Sequence, residues 1–395
     1  MIAYEKPQDW ILYDFSKIAN QLTNAKAIVL SLRTIPYQKD WADELQMVQL
    51  KREVAGTSRI EGADFTDKEL EAAMKETAEQ LQTRSQRQAA AAVKTYRWIA
   101  KLPQDRPMSE ELICEIHRML VTDADDDHCP PGKTRGRDQN VTFGAPRHRG
   151  VEGGDECKKA FSELCSAAQQ EFQAHDPLIQ ALALHYHFAA MHPFLDGNGR
   201  TARALEAMML QRTGLKDALF IAMSNYYYEE KTAYLNTLAE VRANEYDLTS
   251  FLMFGLKGIE QQGKRLFDEI RKNVAKALFR NLMYDLFNRL RTPRKRVMKE
   301  RHIEILKLLL NTDRMNLDEL TERTKIYYHT LGNSRKALIR DINYLIGLRA
   351  IEFTKQPDNK YDFFVRLEWP MEITETEFFK RVKQMPKAKT HTFLS

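Results

Sequence analysis

The chain has 395 residues, of which 43% are hydrophobic, and a formal net charge of +5. That composition is ordinary for a soluble globular protein of two or three domains, and no apolar run approaches the ~18 residues of a membrane-spanning helix. The opening MIAYEKPQDW carries acid and Trp where a secretory signal needs basic and then apolar residues, and the cysteines (Cys114, Cys129, Cys157, Cys165) form no CxxC pair. A cytoplasmic protein with reduced thiols and no membrane partner is therefore expected.

Gly and Pro are scarce and apolar residues recur at helical spacing, so the fold class is all-α. ELQMVQLKREV (44–54) is an early amphipathic run. The stretch 66–102 begins with Thr66 three residues before Glu69, the arrangement of a capping box. SEELICEIHRMLV follows Pro107 with Ser109 as its N-cap. Between 122 and 154 the pattern breaks into a Gly-, Pro- and Asp-rich segment whose one strand candidate is QNVTFG, and long irregular segments of this kind are often functional. Helices resume at 155–175, 177–191, 200–213, 226–242 and 247–290.

RTPRKRVMKERH (291–302) marks a shift in composition. Residues 291–395 hold 22 Lys and Arg against 14 Asp and Glu, while the remainder is slightly acidic. Three helices and two strands around a Pro-Asp-Asn turn follow, which reads as a winged helix, with KRVKQMPKAKTHTFLS as a frayed basic tail. The expected domains are 1–105, 106–290 and 291–395.

HPFLDGNGRTAR, residues 192–203, concentrates the chemistry. Pro193 disfavours helix at His192, which should sit at a helix exit. DGNG then connects to a helix beginning near Arg200 that buries Ala202, Leu205, Met208 and Met209. Gly197 and Gly199 leave room for backbone N–H groups to converge on an anion, reinforced by the helix N-terminus. Arg200 and Arg203 add fixed positive charge. Asp196 suits a Mg²⁺ that bridges two phosphates, Asn198 can donate to a phosphate oxygen, and His192 can remove a proton from a hydroxyl near neutral pH. A zinc site is disfavoured, because His185, His187 and His192 lack the i, i+4 spacing, and the GxxxxGK[ST] pattern of a P-loop is absent.

This stretch resembles the Fic family motif HxFx[DE]GNGRxxR at every defined position. The resemblance covers roughly residues 45–255 and implies an all-α bundle that transfers AMP from ATP to a protein Ser, Thr or Tyr hydroxyl, with pyrophosphate released. It implies His192 as general base, Asp196 as the Mg²⁺ ligand, Gly197, Asn198 and Gly199 as the anion hole, and Arg200 and Arg203 as phosphate contacts, Arg203 at the γ-phosphate. PGKTRGRDQNVTFG (131–144) resembles the family's flap, a hairpin that pairs with the target backbone through Val141 and Thr142. SNYYYEEKTAYLNTL (224–238) resembles the wall of the base site, with Tyr234 as its aromatic. GTSRIEG (56–62) resembles the inhibitory motif [ST]xxxE[GN] through Thr57, Glu61 and Gly62. Thr57 would cap a short helix, Gly62 would end it, and Glu61 would hold Arg203 away from ATP.

In the C-terminal third, Arg335, Lys336 and Arg340 lie at spacings that share one face of a recognition helix, with Lys355 and Lys360 beside the wing turn, so DNA is a candidate partner alongside protein. The leading expectation is an autoinhibited, Mg²⁺-dependent protein adenylyltransferase that also modifies itself. A nucleotide-sensing DNA-binding regulator and a transferase with another nucleotide donor are the alternatives, and a homodimer is left open.

Overall fold

In the computed structural model, all residues are described except 1–2, 37–38, 76–80, 82, 126–128, 145–146, 216–220, 291–297, 330, 358–359 and 385–395. The expected frayed tail, from Lys380, begins inside a helix that runs from Glu375 to Gln384; its remainder from residue 385, most of the 291–302 junction and the centre of the wing turn lie outside the described residues. Two compact units, Met1–Ile270 and Arg271–Ser395, divide the chain.

The first unit is helical. Asp14 caps α1 (Phe15–Thr34), and α2 (Lys39–Ile60) follows. The expected run 66–102 contains two separately capped helices, α3 (Asp67–Ala73) and α4 (Arg84–Ile99). Capping boxes open both: Thr66 with Glu69, and Thr83 with Gln86. Ser109 caps α5 (Glu110–Val121) as its position predicts. The irregular segment contains a hairpin of β1 (Thr142–Phe143) and β2 (His148–Arg149), antiparallel with Thr142 opposite Arg149. The flap therefore extends past residue 144, because its second strand is only two residues long and leaves no alternating pattern.

After α6 (Asp155–Gln169) and a 3-10 turn, Asp176 caps α7 (Pro177–Met191), with Pro177 at its first turn. Every residue of α7 from Leu178 to Met191 is buried, so this helix forms the centre of the unit. It packs against α8 (Asn198–Gln211), which buries Ala202, Leu205, Met208 and Met209. The expected helix 226–242 is two, α9 (Met223–Glu229) and α10 (Lys231–Ala243), separated at Glu230. The unit boundary falls inside α11 (Thr249–Asn288).

One contact fixes α2 against α9. A Cβ on Gly56 would stand 2.4 Å from the Ser224 carbonyl carbon, so only glycine allows this approach. Three residues earlier on the same helix, buried Glu53 accepts from the Ser224 N–H at 2.9 Å, from the Ser224 hydroxyl, and from the Tyr96 hydroxyl at 2.9 Å. Lys231 Nζ donates to the Ile60 carbonyl at 2.8 Å and satisfies one orphan acceptor at the C-terminus of α2.

The second unit contains α12 (Ile303–Thr312), β3 (Met315–Asn316), α13 (Leu317–Tyr328), α14 (Ser334–Gly347), β4 (Ile351–Lys355) and β5 (Tyr361–Val365), then α15 (Trp369–Glu372) and α16 (Glu375–Gln384). The sheet is antiparallel in the order β3–β5–β4, with Phe363 between Met315 and Phe353. Strand β3 was not expected; it is two residues long. Leu306, Leu320, Ile342, Leu345, Phe363 and Trp369 form the core. Buried Asp341 accepts from Tyr328 at 2.9 Å and faces Arg301 at 3.1 Å.

Candidate active site

The α7–α8 connection carries the motif. His192 ends α7 in the left-handed region (φ 51°, ψ 62°), where its N–H still bonds Phe188 O. This non-glycine position is strained, and it aims the ring out of the helix. The Ala189 carbonyl, 2.5 Å from Nδ1, can only accept, so Nδ1 carries the proton and Nε2 keeps its lone pair. Burial pushes the His192 pKa down to about 4. The imidazole is therefore neutral at physiological pH and able to accept a proton. Phe143 of the flap stacks on it at 3.6 Å and 7°.

The loop is held from both sides. Asn198 donates to Phe194 O at 2.8 Å and accepts from Phe194 N–H at 2.9 Å, so its amide braces the loop in this structure. His117 of α5 bonds Asp196 O at 3.0 Å, accepts from Gly132 N–H at 2.9 Å and stacks on Phe194. Gly197 caps α8 at φ 75°, where a Cβ would lie 2.9 Å from Val121. The first-turn N–H groups of α8 have no intrahelical acceptor and form the positive end of a helix dipole.

Both arginines of the motif are buried and paired. Arg200 Nη1 donates to Asp125 Oδ2 at 2.5 Å. Asp125 also accepts from Gln88 at 2.9 Å and from Arg84, which reaches Asp196 at 3.5 Å. Arg203 donates from Nε to Thr57 Oγ1 at 2.9 Å and from Nη2 to Glu61 Oε1 at 2.6 Å. Burial raises the pKa of Glu61, but the Arg203 charge more than offsets it and holds the carboxyl below its usual range. Thr57 lies inside α2 and accepts from Arg203, rather than capping a short helix as expected; the preceding turns of α2 already satisfy its backbone. Gly62 does end the helix, at φ 89°.

His192, Glu61, Gly199 and Arg203 line one cleft of about 180 Å³ with Phe143, Tyr234, Leu235 and Leu238. The Tyr234 hydroxyl is tied back to His185 Nε2 at 2.8 Å, and His185 contacts the Glu206 carboxylate, so the ring faces the cleft and the polar end faces the core. In the flap, Val141 O accepts from Gly150 N–H at 3.2 Å. By the alternation of an antiparallel pair, Val141 spends its backbone on β2 while Thr142 N–H and C=O face the outer edge.

Asp196 is 42% exposed at the mouth of the α8 N-terminus. Among the described residues no group of three or more His, Cys, Asp or Glu is disposed to hold a metal. A lone accessible carboxylate beside an anion loop fits a Mg²⁺ that takes its other oxygens from phosphates and water. His117, Asp125 and Arg84 escaped the reading of the sequence, because each reaches the loop from a distant segment without a local pattern of its own.

Residues 107–210 match the Fic/DOC family model. The protein adenylyltransferase Fic of Culex quinquefasciatus is 36% identical over 87 residues, 22% of this chain and 16% of that protein. A uridine 5′-monophosphate transferase of Xanthomonas campestris is 33% identical over 124 residues, 28% of this chain and 22% of that protein. The chain thus spans less than a quarter of these curated relatives. Among solved structures, Fic-1 (residues 134–508) from C. elegans superposes with a TM-score of 0.52 at 19% identity, over 64% of this chain and 72% of that one. A Fic family protein from Desulfovibrio desulfuricans G20 superposes at 0.54 and 18% identity, over 92% and 98%. Fold and motif together define a helical protein built around a helix–loop–helix cleft. The domain at residues 107–210 is of the Fic/DOC type by that match.

Proposed function

We propose that the chain transfers a nucleoside monophosphate from a nucleoside triphosphate to a Ser, Thr or Tyr hydroxyl of a protein target, itself included, and that Glu61 restrains the reaction. The adenylyltransferase relatives support AMP from ATP. The observation that carries the reading is the convergence in one cleft of a neutral His192 with free Nε2, the α8 N-terminus and an Arg203 already engaged by a carboxylate.

His192 Nε2 takes the hydroxyl proton as the oxygen forms its bond to the α-phosphorus. The bond from that phosphorus to the bridging oxygen breaks, and pyrophosphate leaves with the electron pair. The N–H groups of the first turn of α8, Arg200 and Arg203 hold the phosphates, and Arg203 must leave Glu61 to grip the terminal one. Asp196 would hold Mg²⁺, which when bound neutralises phosphate charge. Thr142 on the open edge of β1 would align the target backbone.

The test is incorporation of label from α-labelled ATP with Mg²⁺ in the native chain, Glu61→Gly, and Glu61→Gly with His192→Ala. Strong labelling confined to the single variant supports the reading, and equal labelling in the presence and absence of His192 sinks it.

A second reading rests on the second unit. A three-helix, β3–β5–β4 arrangement with Arg335, Lys336 and Arg340 exposed on α14 supports a winged-helix reading. It supports a nucleotide-sensing regulator that binds DNA through α14. Absence of DNA binding at low salt would remove this reading.

A further inference from the structure

The cleft has a second polar end, away from Arg203. Arg242 on α10 is only 5% exposed, and its Nε and Nη1 have no hydrogen-bond partner. His148 of β2 is equally buried and neither ring nitrogen has a partner; the hydroxyl of fully buried Tyr186 on α7 faces the Arg242 guanidinium. All three line the cleft that holds His192 and Gly199. Buried polar groups are normally satisfied, so the unmet nitrogens of Arg242 and His148 in one cleft mark a place shaped for a polar ligand.

The surroundings narrow that ligand. Among the described residues no carboxylate pairs with Arg242; its neighbours are the phenols of Tyr4, Tyr186 and Tyr246 and the face of Phe143 at 4.9 Å. Tyr234, Leu235 and Leu238 supply flat and apolar walls. Tyr234 stands beside Arg203, and Arg242 lies eight residues further along α10, about 12 Å away, which is within reach of the base of a nucleotide whose phosphates lie at Gly199 and Arg203.

A guanidinium only donates. Guanine offers it two adjacent acceptors, O6 and N7, and uracil offers O4, as thymine does. Adenine keeps the N7 acceptor but sets an amino donor beside it, and cytosine presents an amino donor in place of O4.

We propose that Arg242 reads the base of the donor nucleotide, and that the cleft takes a keto base, guanine or uracil, in preference to adenine. The proposal rests on the nucleotidyl-transfer reading above and refines its donor; ATP remains a substrate, but not the preferred one. A relative named as a uridine 5′-monophosphate transferase accords with this choice.

The experiment uses the full chain carrying Glu61→Gly, with α-labelled GTP, UTP, ATP and CTP compared by kcat/KM. Nucleotide affinity is measured in parallel by calorimetry on Glu61→Gly with His192→Ala. GTP or UTP should exceed ATP and CTP by about tenfold in both readouts, and the GTP and UTP arms separate the two keto bases. Arg242→Asn, whose amide both donates and accepts, should move the ratio about tenfold toward ATP, and Arg242→Lys should keep the keto preference. Preference for ATP in the Glu61→Gly chain overturns the proposal, and so does an Arg242→Asn protein with an unchanged ratio. If no nucleotide labels protein, the transfer reading fails instead, and the order of affinities still decides the base preference.

Discussion

Glu61 and Gly199 are in direct apposition: a Cβ on Gly199 would stand 2.4 Å from Glu61 Oε1, the same oxygen that accepts from Arg203 at 2.6 Å. The carboxylate therefore fills the space beside the first turn of α8 and occupies the guanidinium that a terminal phosphate would need. A charge-assisted bond of this kind is worth about 1.5–3 kcal/mol, roughly a tenfold to hundredfold effect. Glu61→Gly should raise labelling by that factor and tighten nucleoside triphosphate binding in a calorimetric titration. Unchanged affinity would mean that Glu61 is a structural partner of Arg203 and does not compete with phosphate.

His192 predicts an unusual pH profile. Its pKa is pushed down to about 4 by burial, so the neutral, proton-accepting form persists as pH falls to that point. The Glu61 charge raises that pKa, so loss of the charge by itself lowers the limb. The acidic limb of kcat/KM for the Glu61→Gly chain should lie near pH 4, and a limb near the ordinary imidazole value would show that the ring is hydrated in the working enzyme. His192→Ala should cost about 10²–10⁴ in rate and leave nucleotide affinity little changed.

How much of this was legible depended on range. Ser109, Thr66 and the Asp176–Pro177 pair act on their own helices, so their caps could be read from a few neighbouring letters. The motif residues from His192 to Arg203 were legible for the same reason, being contiguous. Thr57 was misread because its partner is Arg203, 146 residues away, and nothing local distinguishes a helix cap from a mid-helix acceptor. Asp125, His117 and Arg242 carry no periodicity that marks them; only the packing of α4, α5, α7, α8 and α10 brings them to the loop and cleft. Strands β2 and β3, two residues each, are too short to alternate.

Glu53 should make stability depend on pH. Burial raises its pKa to about 7 against the hydrogen bonds from Ser224 and Tyr96, with nearby Glu206 adding to the rise. The folded state therefore holds a proton that the unfolded chain releases above about 4.5. The stabilisation is fully present below that value and is lost as pH rises through about 7, in an amount up to about 3 kcal/mol. Glu53→Gln, neutral at every pH, should flatten the fall in Tm between pH 5 and 8. Parallel curves for the two proteins would show that Glu53 stays ionised throughout.

Asp125 and Arg84 separate two kinds of ion pair around the same loop. Asp125 is buried and gathers Arg200, Arg84 and Gln88, and Arg200 is itself only 2% exposed. Asp125→Ala would strand a buried guanidinium, a loss of about 3–5 kcal/mol. Arg84 is 50% exposed, so its removal should cost about 0–1 kcal/mol, because water already screens it. Urea unfolding of the two variants checks the order. The kinetic consequence differs as well. In Asp125→Ala, Arg200 loses the carboxylate that fixes its direction, so KM for the nucleotide should rise in chain that remains folded. Arg84→Ala should leave KM nearly unchanged, since Asp125 still orients Arg200. A larger KM effect in Arg84→Ala than in Asp125→Ala would mean that the exposed arginine, 3.5 Å from Asp196, contacts the phosphates itself and that Asp125 serves only the fold.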